Sequence, residues 1–108
     1  MHELSVVRAL LTQLKPYQHR KIIRVTLEVG AISCVDSERL QFCFDMVKAE
    51  AALADARLDI EVVPARAQCR NCGRYFAPSG PGDACPCGSY DYTLTSGRQL
   101  LLTEIGFD

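Results

Sequence analysis

Hydrophobic and polar positions alternate along this chain with two different periods, and the period changes mark its elements. From Glu3 to about Lys15, Leu4, Val7, Leu11 and Leu14 recur at helical spacing, and Val6 and Leu10 widen the stripe. Pro16 marks the stop, since it cannot continue the ladder of a helix. From Ile22 to Val29 the period drops to two: Ile23, Val25, Leu27 and Val29 alternate with Arg24, Thr26 and Glu28, predicting a half-buried strand closed by Gly30. Asp36 or Ser37 suits the cap of a second helix, in which Leu40, Cys43, Phe44 and Val47 form the stripe and Ala49 to Ala54 supply an extension. Leu58, Ile60 and Val62 against Asp59 and Glu61 predict a second strand running towards Gln68, and Gln99 to Phe107 a third.

The order helix, strand, helix, strand, insert, strand predicts an α+β fold. Two helices pack on a three-stranded sheet, and a zinc-ribbon-like four-cysteine insert projects between the last two strands. At 108 residues and 12.0 kDa the chain is sized for one modest core with a small appendage. The expected division is residues 1–68 plus 98–108 as an α/β domain and residues 69–97 as a separate cysteine-rich domain. That second segment holds five of the seven glycines, three of the five prolines and four of the six cysteines. It has too little apolar surface to offset its own chain entropy, so it needs a staple.

The cysteines supply one. Cys69-Arg70-Asn71-Cys72 and Cys85-Pro86-Cys87 give the spacing C-x2-C-x12-C-x-C. Two close thiolate pairs joined by a loop suit a tetrahedral Zn²⁺, and four thiolates leave no open position, so the site is structural. Gly73 and Gly88 follow the two pairs, where a sharp turn with positive φ is expected. The C-x-C half is tighter than a standard knuckle, and Asp83 is the nearby alternative ligand. A redox dithiol is the competing account, but it needs a low-pKa thiolate at a helix start, and neither pair lies in a helical pattern. Cys34 and Cys43 stand apart and are expected to be buried small hydrophobes.

The opening Met1-His2-Glu3 offers different chemistry. A bulky second residue disfavours removal of the initiator Met, so Met1 is taken as the real start. Its α-amine, the nitrogens of the next residues and the His2 ring can surround one ion in a plane, as Ni(II) and Cu(II) favour and Zn²⁺ does not. The same residues also read as a solvated surface His beside the terminus and, for Glu3, a favourable carboxylate in a first helical turn.

The Met1-His2-Glu3-Leu4-Ser5 start, the run Leu27-Glu28-Val29-Gly30-Ala31-Ile32-Ser33-Cys34-Val35, the segment Leu40-Gln41-Phe42-Cys43-Phe44 and the two late cysteine pairs together resemble the HypA/HybF family of hydrogenase-maturation nickel chaperones. The resemblance implies that Met1 and His2 form the nickel site with Glu3 in support, and that Cys69, Cys72, Cys85 and Cys87 bind structural zinc. It implies delivery of Ni(II) to the large subunit of nickel-iron hydrogenase together with a HypB-type GTPase, and for some members service to urease. Cys85-Pro86-Cys87 departs from the family's usual C-P-x-C.

Other classes find less support. Twelve Lys+Arg against thirteen Asp+Glu give a net charge of −1, without the excess expected of a protein that grips phosphates. The alternative function is a zinc-ribbon module binding nucleic acid or protein. Arg66, Arg70 and Arg74 lie near the first cysteine pair, and Tyr75, Phe76, Tyr90 and Tyr92 suit base stacking, although a satellite core around the metal explains the aromatics better. No metalloprotease helix, phosphate loop or catalytic triad pattern is visible, so catalysis is not expected. With no apolar run long enough to span a bilayer and no signal-peptide pattern, a cytoplasmic location is expected and no membrane role.

Overall fold

The computed structural model describes residues 3–80 and 82–108. The first helix, α1 (Glu3–Leu14), ends in a 3-10 turn at Lys15–Tyr17 that begins where Pro16 enters. Then follow strand β1 (Ile22–Gly30), helix α2 (Ser37–Val47) and strands β2 (Arg57–Val63), β3 (Arg66–Cys69), β4 (Tyr75–Phe76), β5 (Tyr92–Ser96) and β6 (Leu100–Phe107). The strands form two three-stranded sheets, ordered β2-β1-β6 and β4-β3-β5. In the first, β1 is central, parallel to β2 and antiparallel to β6. The expected α+β architecture is therefore present, with two helices on one sheet and a cysteine-bearing insert before the last strand.

One core serves the helices and the first sheet. Val6, Val7, Leu10 and Leu14 of α1 meet Val25, Leu27 and Val29 of β1, Leu40 and Phe44 of α2, and Leu58 of β2. Each such large side chain withdrawn from water contributes about 2 kcal/mol. The buried stripe of α1 is rotated from the one expected, because Leu4 is exposed and Leu11 only packs against the edge. In β1 it is Ile22 that is buried and Ile23 that faces solvent. The pairing with β6 slips between Ile22 and Arg24, and a one-residue slip exchanges the two faces of a strand.

Two further expectations are corrected. Ala49 to Ala54 does not extend α2. The chain leaves the helix at Lys48, passes through a left-handed Ala52 (φ 59°) and drops Leu53 and Ala56 into the core, so burial outweighs the helix propensity of alanine. The asparate that caps α2 is Asp36, whose carboxylate accepts from the Glu38 and Arg39 amides at 3.0 and 3.2 Å. The strand begun at Arg57 does not continue to Gln68. It breaks at Pro64, which lacks an amide donor, and resumes at Arg66 in the second sheet.

The two sheets are joined by backbone in direct contact. Gly30 donates to the Gln99 carbonyl at 2.7 Å, Ala31 to Val63 at 2.8 Å and Ile32 to Gly97 at 2.9 Å. Any Cβ on Gly30 would fall inside the van der Waals radius of the Gly97 carbonyl, and one on Gly97, which has φ 113°, would sit 2.6 Å from the Ala65 Cα. Only glycine allows this approach. The molecule is elongated, 52 × 21 × 16 Å, with a radius of gyration of 16.9 Å against about 13 Å for a compact chain of this length. No described residue between 64 and 99 belongs to the main core.

Gly30→Ala is expected to destabilise the protein by about 2–3 kcal/mol through overpacking at this joint, read as a fall in the urea midpoint of about 1–2 M. Gly80→Ala, whose Cβ would meet nothing within 4 Å, should leave the midpoint unchanged.

Candidate metal centre

The cysteine cluster is built from two turns, one at the end of β3 and one ahead of β5. In the first, Gly73 donates to the Cys69 carbonyl at 3.0 Å and Cys69 to the Arg74 carbonyl at 2.9 Å, reversing the chain within five residues. In the second, Gly88 donates to Cys85 at 2.7 Å and Cys85 to Ser89 at 2.9 Å. Gly73 and Gly88 have φ of 74° and 93°, as their place behind each cysteine pair predicts. The turns are clamped together by the Arg70 amide on the Asp91 carbonyl at 2.9 Å and by the Arg70 guanidinium on the Asp91 carboxylate at 3.0 Å.

This places the sulfurs of Cys69, Cys72, Cys85 and Cys87 all within 4.8 Å of one another. The Cys69 and Cys87 sulfurs are 3.8 Å apart, those of Cys72 and Cys85 3.6 Å. A tetrahedral ion with Zn–S bonds of about 2.3 Å has sulfur–sulfur edges of about 3.8 Å, so the donor set fits such an ion in both spacing and chemistry. Each of these contacts joins one residue of each pair, and the short C-x-C spacing brings Cys85 into the group as fully as the others. The Asn71 and Cys72 amides donate to the Cys69 sulfur at 3.3 and 3.5 Å, and the Asn71 side chain reaches the Cys87 sulfur at 3.8 Å.

These donors set the electrostatics of the group. The Cys72 amide is the main influence that draws the Cys69 thiol down to about 6, against burial, with the Asn71 amide assisting. Cys87 is lowered chiefly by the Ser89 amide and then by its hydrogen bond with Cys85. Cys85 is pulled down most strongly by the Cys87 amide, but burial and the three sulfurs facing it together outweigh that and push it up to about 12. Sulfurs packed this closely cannot all ionise alone; a divalent cation removes the conflict.

Asp83 stands outside this group. Its carboxylate accepts from the Ser79 amide at 2.7 Å, and that bond is the main cause that lowers its carboxyl below the usual range. Cys34 and Cys43 are also elsewhere, and the expectation that both are buried is corrected. Cys34 is exposed in a left-handed turn (φ 65°) after β1, where the chain turns its side chain outward, and Cys43 is half-buried against the edge of the core. The aromatic satellite core is present in part. Phe76 and Tyr92 meet edge to face at 5.0 Å, whereas Tyr75 and Tyr90 are 69% and 72% exposed.

Of the residues expected at the nickel site, Met1 and His2 lie outside the described residues. Glu3 opens α1, and its nearly buried carboxylate accepts from the Asp36 amide at 3.3 Å and lies 3.9 Å from the Arg39 guanidinium. It thereby ties the start of α1 to the start of α2. The sequence signal for this tie was the paired helix starts, each with an acidic residue, but nothing in spacing alone brings residues 3 and 36 together.

The fold and the four sulfurs define a small α+β protein with a tetrathiolate metal site. A family model described as hydrogenase/urease nickel incorporation, metallochaperone, HypA matches residues 1–107. The chain is 37% identical over 107 residues to the hydrogenase maturation factor HypA of Geobacter metallireducens, covering 97% of each, and 36% identical to that of Trichormus variabilis, covering 97% of this chain and 94% of the other. The solution structure of the Ni metallochaperone HypA from Helicobacter pylori superposes with a TM-score of 0.70 at 27% identity, over 99% of this chain and 97% of that one. This chain belongs to the HypA family of hydrogenase-maturation nickel metallochaperones.

Asp83→Ala is expected to loosen the turn from Ser79 while metal retention under chelator challenge stays at the level of the unaltered protein. A clear loss of retention would make Asp83 a ligand.

Proposed function

We propose that this chain binds Ni(II) through the α-amine of Met1, the His2 side chain and adjoining backbone nitrogens, with Glu3 in support, and delivers it during maturation of nickel-iron hydrogenase. The observation that carries the reading is the full-length family match, which runs through the Met1-His2-Glu3 opening. The site of Glu3 supports it: a carboxylate held against the start of α2 anchors the residue that follows the nickel donors. Nitrogen donors in a plane suit Ni(II). A site at a chain end is open enough to release its ion to a partner, which a carrier requires.

The four cysteines, in this proposal, hold a resident Zn²⁺. When bound, zinc would supply a structural cross-link and no open coordination position, so no reaction is expected at that ion. Residues 1–68 with 98–108 then handle nickel, and residues 69–97 form the zinc-binding part. A HypB-type GTPase and the hydrogenase large subunit are the proposed partners, with urease maturation proteins as a further recipient. The proposed location is cytoplasmic; among the described residues no helix is long and apolar enough to cross a membrane. The nucleic-acid alternative is weakened because Arg70 is paired with Asp91 and Tyr92 is occupied by Phe76.

Cys72→Ala is expected to lose zinc and to abolish protected amides in the second sheet, leaving the helices and the first sheet folded, as read by metal analysis and amide exchange. Retention of zinc at one per chain would refute the structural-zinc assignment. For nickel, an uncleaved N-terminal extension and His2→Ala should each abolish specific Ni(II) binding in a calorimetric titration, because the first converts the amine to an amide and the second removes the ring nitrogen. A C-terminal extension beyond Asp108 should be neutral, and zinc content should stay constant in all three. Nickel binding that survives both N-terminal changes would refute the N-terminal assignment.

A further inference from the structure

The second sheet has an open edge that nothing in the nickel or zinc reading uses. β5 pairs with β3 on one side and, among the described residues, with no strand on the other, so alternate amides and carbonyls along it point outward. A groove of about 690 Å³ runs along this edge, lined by the β5 residues with Tyr90, Arg70, Arg98 and Gln99. Exposed edges are normally guarded by charged side chains. The outer strands of the first sheet follow that rule, with Arg57, Asp59 and Glu61 on β2 and Glu104 on β6, but β5 reads Tyr-Thr-Leu-Thr-Ser and carries no charge. A register shift opposite Arg66 and Ala67 interrupts the ladder at Thr95, leaving residues 92–94 as a regular edge.

The charges lie at the ends of the groove, and they have one sign in excess. Residues 64–99 carry four arginines against two aspartates, while the other positions carry eight basic against eleven acidic residues. Arg98 makes no ion pair among the described residues, and Arg70 is shared with Asp91, both partners being more than half exposed. The Tyr90 ring is 72% exposed beside them. Base stacking would need successive free aromatic faces, and Tyr92 is already packed on Phe76. An unguarded strand edge with a cationic rim and one free ring instead matches an extended polypeptide with acidic side chains on one face.

We propose that β5 is a docking edge for a carboxylate-rich extended segment of a partner protein, which adds as a strand beside residues 92–94, sets an acidic side chain against Arg98 and covers Tyr90 with an apolar side chain. This surface is independent of the nickel assignment, since none of its residues belongs to the proposed nickel or zinc ligands.

The test uses the full zinc-loaded chain and a capped peptide of about eight residues alternating Glu and Val, with a Lys-for-Glu peptide and an oligothymidylate of about twelve nucleotides as competitors. The Glu peptide should shift the amide resonances of Tyr92, Thr93 and Leu94 and slow exchange at alternate positions among them. Arg98→Glu should weaken binding about tenfold, whereas Arg74→Glu, an equal charge change outside the groove, should alter it less than about threefold. Equal effects of the two substitutions, equal binding of the Lys peptide, or displacement of the Glu peptide by tighter oligothymidylate would overturn the proposal. So would concentration-dependent protection of the β5 amides without peptide, which would assign the edge to a second copy of this chain.

Discussion

The joint between the two sheets rests on main chain packed directly against main chain. At the end of β1 the chain has no side chain at Gly30, and the link between β5 and β6 has none at Gly97, so the two backbones approach until their amides and carbonyls bond. The second sheet shares no described side chain with the main core, so this seam and the links at Pro64 and Gln99 carry its orientation. The Ser96 hydroxyl on the Pro64 carbonyl at 2.9 Å and the Gly97 amide on the Gln99 side chain at 2.6 Å close the seam. A few hydrogen bonds of about 1 kcal/mol each set the angle between parts only because the close approach leaves no alternative packing.

Beyond the seam, stability has a different source. The helices and first sheet gain theirs from apolar burial in one cluster. The second sheet has a two-residue strand, and the buried apolar side chains of it and its turns are Ala67, Cys69 and Cys85. Such a sheet is too small to hold itself by area, and its sulfurs repel when ionised, so a cation that satisfies four thiolates turns the least stable feature of the segment into its anchor.

The sulfur cluster and the start of α1 are chemically distinct as well. Soft sulfur donors in a closed set suit an ion that stays, and nitrogen donors at a chain end suit one that leaves. Glu3 joins the two helix starts: its carboxylate bonds to the Asp36 amide and approaches Arg39, so α1 begins against α2. Asp36 in turn caps α2 through the Glu38 and Arg39 amides, and the two acidic side chains form a short chain of contacts across both helix starts.

Much of this was legible in the residues. Helical and strand periods located both helices and the three strands of the first sheet, because a buried stripe imposes its period wherever it occurs. The cysteine spacing, with glycine behind each pair, identified the sulfur cluster, because metal geometry and positive φ act over a few residues. What the residues did not show depends on distant partners. Ile22 was exchanged for Ile23 by a slip against β6; the alanines after Val47 turned because Leu53 had a place in the core; Cys34 faced outward in a turn that closes on residues 63 and 97. The second sheet, split from β2 at Pro64, is held by contacts between segments up to thirty residues apart. Local chemistry determined which residues form elements and which cysteines cluster; the register, the seam at Gly30 and Gly97, the tie from Glu3 to Asp36 and the open edge of β5 were decided by the tertiary structure, since each is a contact whose two halves carry no signal until the chain has folded.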